Sequence, residues 1–222
     1  MSLPRRRFIT LSALGIASST VLSPWARAQA QKKPFSAKGR FETLPTPQPT
    51  TNPDKIEVVE LFWYGCPHCS RFQPYIDPWQ ENRPDDVEFI RMPAIFRKDW
   101  EVHARAYYTA LALGALDKTH AAVFGAIHGQ NRRLESKEDI EQLFARQGVA
   151  PADFRKHYVS FGVDSGVRRS KVMQERYGIR GVPTVIVNGK YRVSGSLAGS
   201  YANMIKVLDI LVAKERKEML SN

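Results

Sequence analysis

Cys66 and Cys69 are the only cysteines among 222 residues, and Pro67 and His68 are all that separates them. Four kinds of chemistry use a pair at this spacing. A structural disulfide stabilises mainly by closing a loop in the unfolded chain; a ring this small gains little and is prone to strain and reduction. Structural zinc needs four ligands, and there is no second cysteine pair to supply them. His103, His120, His128 and His157 have no spacing that completes a site with Cys66, His68 and Cys69, so each reads as a core or surface histidine and no metal is expected. Covalent haem attachment wants histidine directly after the second cysteine, where Ser70 stands. Reversible thiol–disulfide exchange is the reading that fits best.

That chemistry has a local physical basis. A strand ending at Tyr64-Gly65 and a helix opening at Cys66 place the first sulfur beside unpaired backbone N–H groups and the positive end of the helix dipole. Pro67 falls in the first turn, where its missing N–H costs nothing. His68 can add a positive charge or an N–H donor beside the sulfur. Cys66 is therefore expected to be the acidic, exposed nucleophile, and Cys69, one turn deeper, the shielded resolving thiol. Whatever stabilises the Cys66 thiolate stabilises the reduced protein. The Cys66–Cys69 disulfide is then an oxidant of other thiols.

The elements that must hold this pair follow from patterning. Lys55 to Trp63 is β-branched and aromatic and predicts a buried strand. The helix from Cys66 runs into the seventies, with a bend or break near Pro74 and Pro78. Val87 to Met92 predicts a second strand stopped by Pro93. A helical block of about 80 residues follows. Its first helix, Trp100 to Leu116, carries Val102, Ala106, Tyr107, Ala110, Leu111 and Leu113 at helical spacing, and Ala121 to Ile127 continues the pattern. Ser136 with Asp139 forms a capping-box pattern before Ile140, Leu143 and Phe144. Gly148 closes that helix, Pro151-Ala152-Asp153 opens the next, and Asp164 to Tyr177 is one more, closed by Gly178. Thr184–Val187 and Tyr191–Val193 flank Asn188-Gly189, a strong hairpin signal. Ser200 to Leu220 is an amphipathic helix with Met204, Ile205, Leu208, Leu211 and Val212 inward. Strand–helix–strand needs a crossover and predicts a parallel pair, to which the hairpin adds antiparallel strands. The fold class is α/β, a mixed central sheet flanked by helices.

The N-terminus reads as an export signal. Arg5, Arg6 and Arg7 precede an uncharged, mostly apolar stretch from Ile9 to Leu22, and small-x-small sites follow at 26–28 and 28–30. Residues 1–28 are expected to be cleaved. The arginine run resembles a twin-arginine signal, but Pro4 departs from that pattern, so the Sec and twin-arginine routes both stand. Removing Arg5, Arg6, Arg7 and Arg27, and no acid, takes the net charge from +11 to +7. The basic residues are dispersed among acids and match no nucleic-acid motif, so no nucleic-acid partner is expected. Residues 29–54 form a lead-in whose Pro45, Pro47, Pro49 and Pro53 favour extended backbone, with an edge-strand pattern at Arg40–Leu44.

Strand, Cys-Pro-His-Cys at a helix start, a helical insertion, and Gly181-Val182-Pro183-Thr184 before a hairpin together resemble the DsbA family of periplasmic thiol–disulfide oxidoreductases. The resemblance runs from about Gly39 to the last helix. It implies a thioredoxin-like domain from residues 55–93 and 179–222, with 94–178 as an inserted helical subdomain. It implies a protein-disulfide oxidoreductase of the periplasm that introduces disulfides into reduced exported proteins. It further implies no cofactor, a monomer, and re-oxidation by a DsbB-type membrane quinone reductase. The family's acidic first thiol and oxidising disulfide agree with the direction argued above. Val182-Pro183 becomes a cis peptide facing the dithiol, although the residues alone also allow a trans proline at a strand start. A substrate strand would pair with the Val182 backbone and lie across Pro67 and Cys66. Glu60, in mid-strand six residues before Cys66, resembles the family's buried acid, a proton relay for Cys69, with Arg91 as a basic partner; the residues alone allow a solvent-facing acid equally well. Phe62, Trp63, Tyr64 and Phe72 cluster near the motif as core, with some available to line an apolar patch. A disulfide isomerase or reductase, a paralogue with specialised partners, and a non-enzymatic holdase-like peptide-binding protein are the competing functions.

Overall fold

The structure, a computed structural model, describes residues 35–221; the expected export signal lies outside them. A short edge strand, β1 (Glu42–Thr43), is followed by β2 (Ile56–Phe62), helix α1 (Pro67–Glu81) and β3 (Val87–Pro93). Then come α2 (Glu101–Ala112), α3 (Leu116–Phe124), α4 (Lys137–Arg146), α5 (Pro151–Tyr158) and α6 (Phe161–Arg176). The chain closes with β4 (Thr184–Val187), β5 (Tyr191–Ser194), the single turn α7 (Gly195–Ala198) and α8 (Tyr201–Leu220). The five strands form one mixed sheet in the order β1-β5-β4-β2-β3. Only β2 and β3 run parallel, joined by the α1 crossover, and their register sets Glu60 opposite Arg91.

Every residue of β2 is buried, as a central strand covered on both faces requires. On one face Ile56 and Val58 pack with Phe72 and Ile76 of α1 and Val207, Leu208 and Leu211 of α8. On the other, Val59 and Leu61 pack with Met173 and Tyr177 near the end of α6. Beyond the C-terminal end of β2, Phe62, Tyr64, Cys66 and Cys69 join a third cluster with Ala106, Tyr107, Val123 and Phe124 of the helical block. The dithiol thus lies where the sheet's end meets that block.

The hairpin turn is built as Asn188-Gly189 demands. Both residues have positive φ, 49° and 61°, and the Lys190 N–H donates to the Val187 carbonyl at 3.0 Å. A Cβ at Gly189 would come within 2.0 Å of the Gln48 carbonyl oxygen, so the lead-in lies directly on this turn. The capping box at the start of α4 is reciprocal, Ser136 Oγ accepting from the Asp139 N–H and the Asp139 carboxylate accepting from the Ser136 N–H.

Four expectations need correction. α1 is not broken: it continues through Pro74 and Pro78, both on its exposed side, while Phe72 and Ile76 hold the other side to the sheet. The tract from Trp100 to Leu116 is two helices, divided at Gly114 with φ +61°. Leu111, counted among its inward residues, is 51% exposed, because α2 ends one residue later. α6 begins at Phe161 rather than Asp164, with Ser160 Oγ accepting from the Val163 N–H as its cap.

Candidate active site

The local chain dictates where the first sulfur sits. Cys66 is the N-cap of α1 in extended backbone, Pro67 follows in the first turn, and the Ser70 N–H donates to the Cys66 carbonyl at 3.1 Å. The open end of the helix sets the N–H groups of His68 and Cys69 near Cys66 Sγ, where they favour its thiolate. The Cys69 thiol beside it is the largest influence on that sulfur. Partial burial opposes these donors, but they prevail and lower the Cys66 pKa to about 6. Cys69 is fully buried; burial first, and then its hydrogen bond to Cys66, push its thiol far above the ordinary range. Two thiols in one turn of helix are thereby split into an anion and an acid that keeps its proton.

The expected exposed nucleophile is in fact nearly covered, since Cys66 keeps only 8% of its surface. The cover is the loop before β4. The Val182–Pro183 peptide is cis, and the Val182 carbonyl oxygen lies 3.5 Å from Cys66 Sγ, accepting from it only while that sulfur is protonated. His68 also differs from expectation. Its ring is exposed and turned to Tyr201, whose hydroxyl lies 3.1 Å from Nδ1, and the Arg71 guanidinium donates to the same nitrogen at 3.2 Å. A guanidinium can only donate, so Nδ1 is the acceptor in this contact. Among the groups that lower the Cys66 pKa the Cys69 thiol comes first and the His68 charge last.

Glu60 is fully buried, on the face of β2 beneath α1. Arg91 Nε donates to its Oε2 at 3.0 Å and Gln73 Nε2 donates to its Oε1 at 3.0 Å. Burial outweighs both donors and raises its pKa. Arg91 also bridges to Asp77 of α1. Of the aromatic cluster, Phe62, Tyr64 and Phe72 are core; Trp63 is half-buried and stacks on Trp100 at 3.9 Å. A groove of about 870 Å³ opens beside the dithiol, lined by His68, Tyr75, Arg180, Val182, Pro183 and Tyr201 among others. Pro67 is exposed at the start of α1, between the N-cap Cys66 and His68.

Several polar residues around the site escaped the sequence reading. Gln73, one helical turn beyond Cys69, is buried between Glu60 and His120. Its position four residues after Cys69, on the apolar face of α1, was the available signal. His120 of α3 bonds Tyr64 and Gln73, and His128 Nε2 lies 2.7 Å from the Tyr64 carbonyl. Nothing in the spacing of those histidines announces such contacts. His103 is a core histidine bonded to the Leu134 carbonyl, and half-buried His157 meets the Asp153 carbonyl.

Comparison with known proteins agrees with this geometry. Residues 86–200 match the family model described as the DSBA-like thioredoxin domain. The thiol:disulfide interchange protein DsbA of Pseudomonas syringae pv. tomato is 42% identical over 211 residues, which is 95% of this chain and 96% of that protein. The crystal structure of Pseudomonas aeruginosa DsbA superposes with a TM-score of 0.79 at 40% identity, covering 83% of this chain and 96% of that one. The oxidoreductase DsbA of Xylella fastidiosa gives 0.75 at 31% identity, over 80% and 96% of the two chains. A cysteine pair at a helix start, a cis-proline loop over it and a helical block against the sheet thus accompany similarity along nearly the whole described chain, and the protein belongs to the DsbA family of thiol:disulfide oxidoreductases.

Proposed function

We propose that the chain is a periplasmic oxidase that passes the Cys66–Cys69 disulfide to reduced exported proteins. The observation that carries this reading is the placement of the two thiols, Cys66 at the N-cap of α1 under the cis-proline loop and Cys69 one turn deeper and fully buried, which lowers the first pKa to about 6 and raises the second. A substrate thiolate attacks Cys66 Sγ and forms a mixed disulfide. The electron pair of the broken S–S bond leaves on Cys69, which must take a proton because it is buried. The substrate's second thiolate then attacks the substrate sulfur of the mixed disulfide. Cys66 departs as a stable thiolate, so two electrons have moved from substrate to enzyme. Glu60 is the proton relay for Cys69: raised by burial, it can hand over a proton on reduction and recover it on re-oxidation.

Substrate backbone pairs with Val182, whose N–H has no acceptor among the described residues, and crosses Pro67 to reach Cys66. His68 borders that lane through Tyr201 and Arg71. Re-oxidation falls to a DsbB-type membrane quinone reductase. No described helix is long and apolar enough to cross a membrane.

The test is a thiolate titration of the reduced protein by ultraviolet absorbance, joined to a glutathione redox titration. Cys66 is expected to ionise near pH 6 and the disulfide to be more oxidising than glutathione's. A midpoint near the free-thiol value of about 8.5 overturns the assignment. C66S is expected to abolish oxidation of a reduced model protein. If C66S still suppresses aggregation of that protein as well as the parent does, and the parent oxidises nothing, the molecule is a holdase.

A further inference from the structure

Glu60 and Gln73 do not form a closed pair. They begin a line of four buried side chains that reaches out of the sheet and into the helical block. The carboxylate of Glu60 and the carbonyl of Cys69 only accept, and Gln73 Nε2 donates to them at 3.0 and 3.4 Å. The Gln73 amide oxygen is thereby turned to His120 Nε2, 3.2 Å away, which must carry a hydrogen to bond it. A neutral ring protonated at Nε2 leaves Nδ1 as an acceptor, and the Tyr64 hydroxyl donates to it at 2.9 Å. All four residues are at most 8% exposed. Phe62, Tyr107 and Phe124 crowd the His120 ring. Burial also keeps His120 from charging, lowering its pKa to about 3.

We propose that His120 is a positioning residue of the dithiol reaction: delivered by α3, it holds the Gln73 amide with its nitrogen toward Glu60 and so sets how readily that acid gives up its proton to Cys69. An amide turned the other way would set an oxygen lone pair against the carboxylate and favour the protonated acid. In the observed orientation the N–H favours the carboxylate, and proton release to the Cys69 sulfur is easier. The inference rests on the reading of Glu60 as the relay. The groups that face Glu60 are Arg91 from β3, Gln73, Asp77 and Cys69 from α1, and Tyr107 from α2, with Tyr64 beyond the end of its own strand. Arg91 holds the other carboxylate oxygen, so a change at His120 acts on Oε1 alone.

The experiment is a carbon-13 carboxyl titration of Glu60 in the reduced protein. It is paired with the pH profile of glutathione exchange at the Cys66–Cys69 disulfide. H120F keeps an aromatic ring and removes the donor; the Glu60 midpoint is expected to rise by about one pH unit, the scale of one hydrogen bond to a charged group. H120Q restores an N–H donor and is expected to titrate like the parent. Q73L is expected to shift like H120F, and the double variant to shift no further than Q73L, because both act through one amide. A merely structural histidine would lower the melting temperature in H120F and leave the midpoint in place, which overturns the proposal, as do additive shifts in the double variant. Should H120F not fold, a Q73L midpoint equal to the parent's overturns it as well. E60Q separates the two claims: if it leaves the exchange profile unchanged, Glu60 is no relay, whatever His120 does to its titration.

Discussion

At Cys66 the competition is between water and backbone. The sulfur is almost out of solvent, which disfavours its charge, yet the Cys69 thiol and two N–H groups at the helix end more than offset that loss. The sign of the linked stability follows. A thiol whose pKa is lowered in the folded state adds stability that is fully present above the free-thiol value near 8.5 and disappears as pH falls through about 6. The disulfide form has no such thiol. Raising the pH from 6 to 8 is therefore expected to stabilise the reduced protein relative to the oxidised one, read as a rise in the melting temperature of the reduced form relative to that of the oxidised form; parallel curves would contradict it. Cys66 and Cys69, whose type and spacing announce chemistry, were legible in the sequence, whereas the buried Glu60 and the cis bond at Pro183 were expected only through the family resemblance. Gln73 and His120 were not, because their meaning depends on α1 and α3 meeting 47 positions apart in the chain. The weak hold of His68 on the sulfur was hidden for a similar reason, since Tyr201 stands 133 positions away.

At the scale of elements, sequence signals worked where one residue decides a backbone geometry and weakened where packing decides. Asn188-Gly189, the Ser136–Asp139 box and Gly148 with φ +84° are of the first kind. The uninterrupted α1 is of the second: two prolines are tolerated because both fall on the wet side of a helix held by Phe72 and Ile76. Removing the α4 cap with S136A is expected to cost about 1 kcal/mol in urea unfolding. It should leave the Cys66 titration unchanged, since no group of α4 is among those that shift either thiol. α6 meets α2 at a tighter seam. A Cβ at Gly166 would come within 2.6 Å of the Tyr108 ring, whose hydroxyl is bonded to Ser170 of α6 at 2.7 Å. G166A is expected to destabilise by about 1–3 kcal/mol, the usual cost of overfilling a packed contact, measured by the same unfolding curve.

For the molecule as a whole, the basic excess acquires a location. Of the two arginines lining the groove beside the cis-proline loop, Arg192 is bound to Glu42 and to the Tyr177 and Gly178 carbonyls. Arg180 is exposed and has no side-chain partner among the described residues. A substrate strand paired with Val182 passes a cation two residues along. R180E is expected to slow oxidation of a peptide with an acidic residue near its cysteine by roughly threefold relative to a neutral one, with the difference fading at high salt, as an exposed ion pair requires. Equal rates for both peptides in parent and variant would leave the groove without charge selectivity.

The inserted block that the resemblance implies ends at residue 178 with a helix that serves both sides: Met173 and Tyr177 at the end of α6 roof one side of the sheet, while Gly166 and Ser170 earlier in the same helix press against α2. One rigid rod is thus a shared wall. Anyone trimming this protein to a minimal redox scaffold must leave that wall standing, because a cut that discards it with the rest of the block would strip Val59, Leu61 and Ile186 bare.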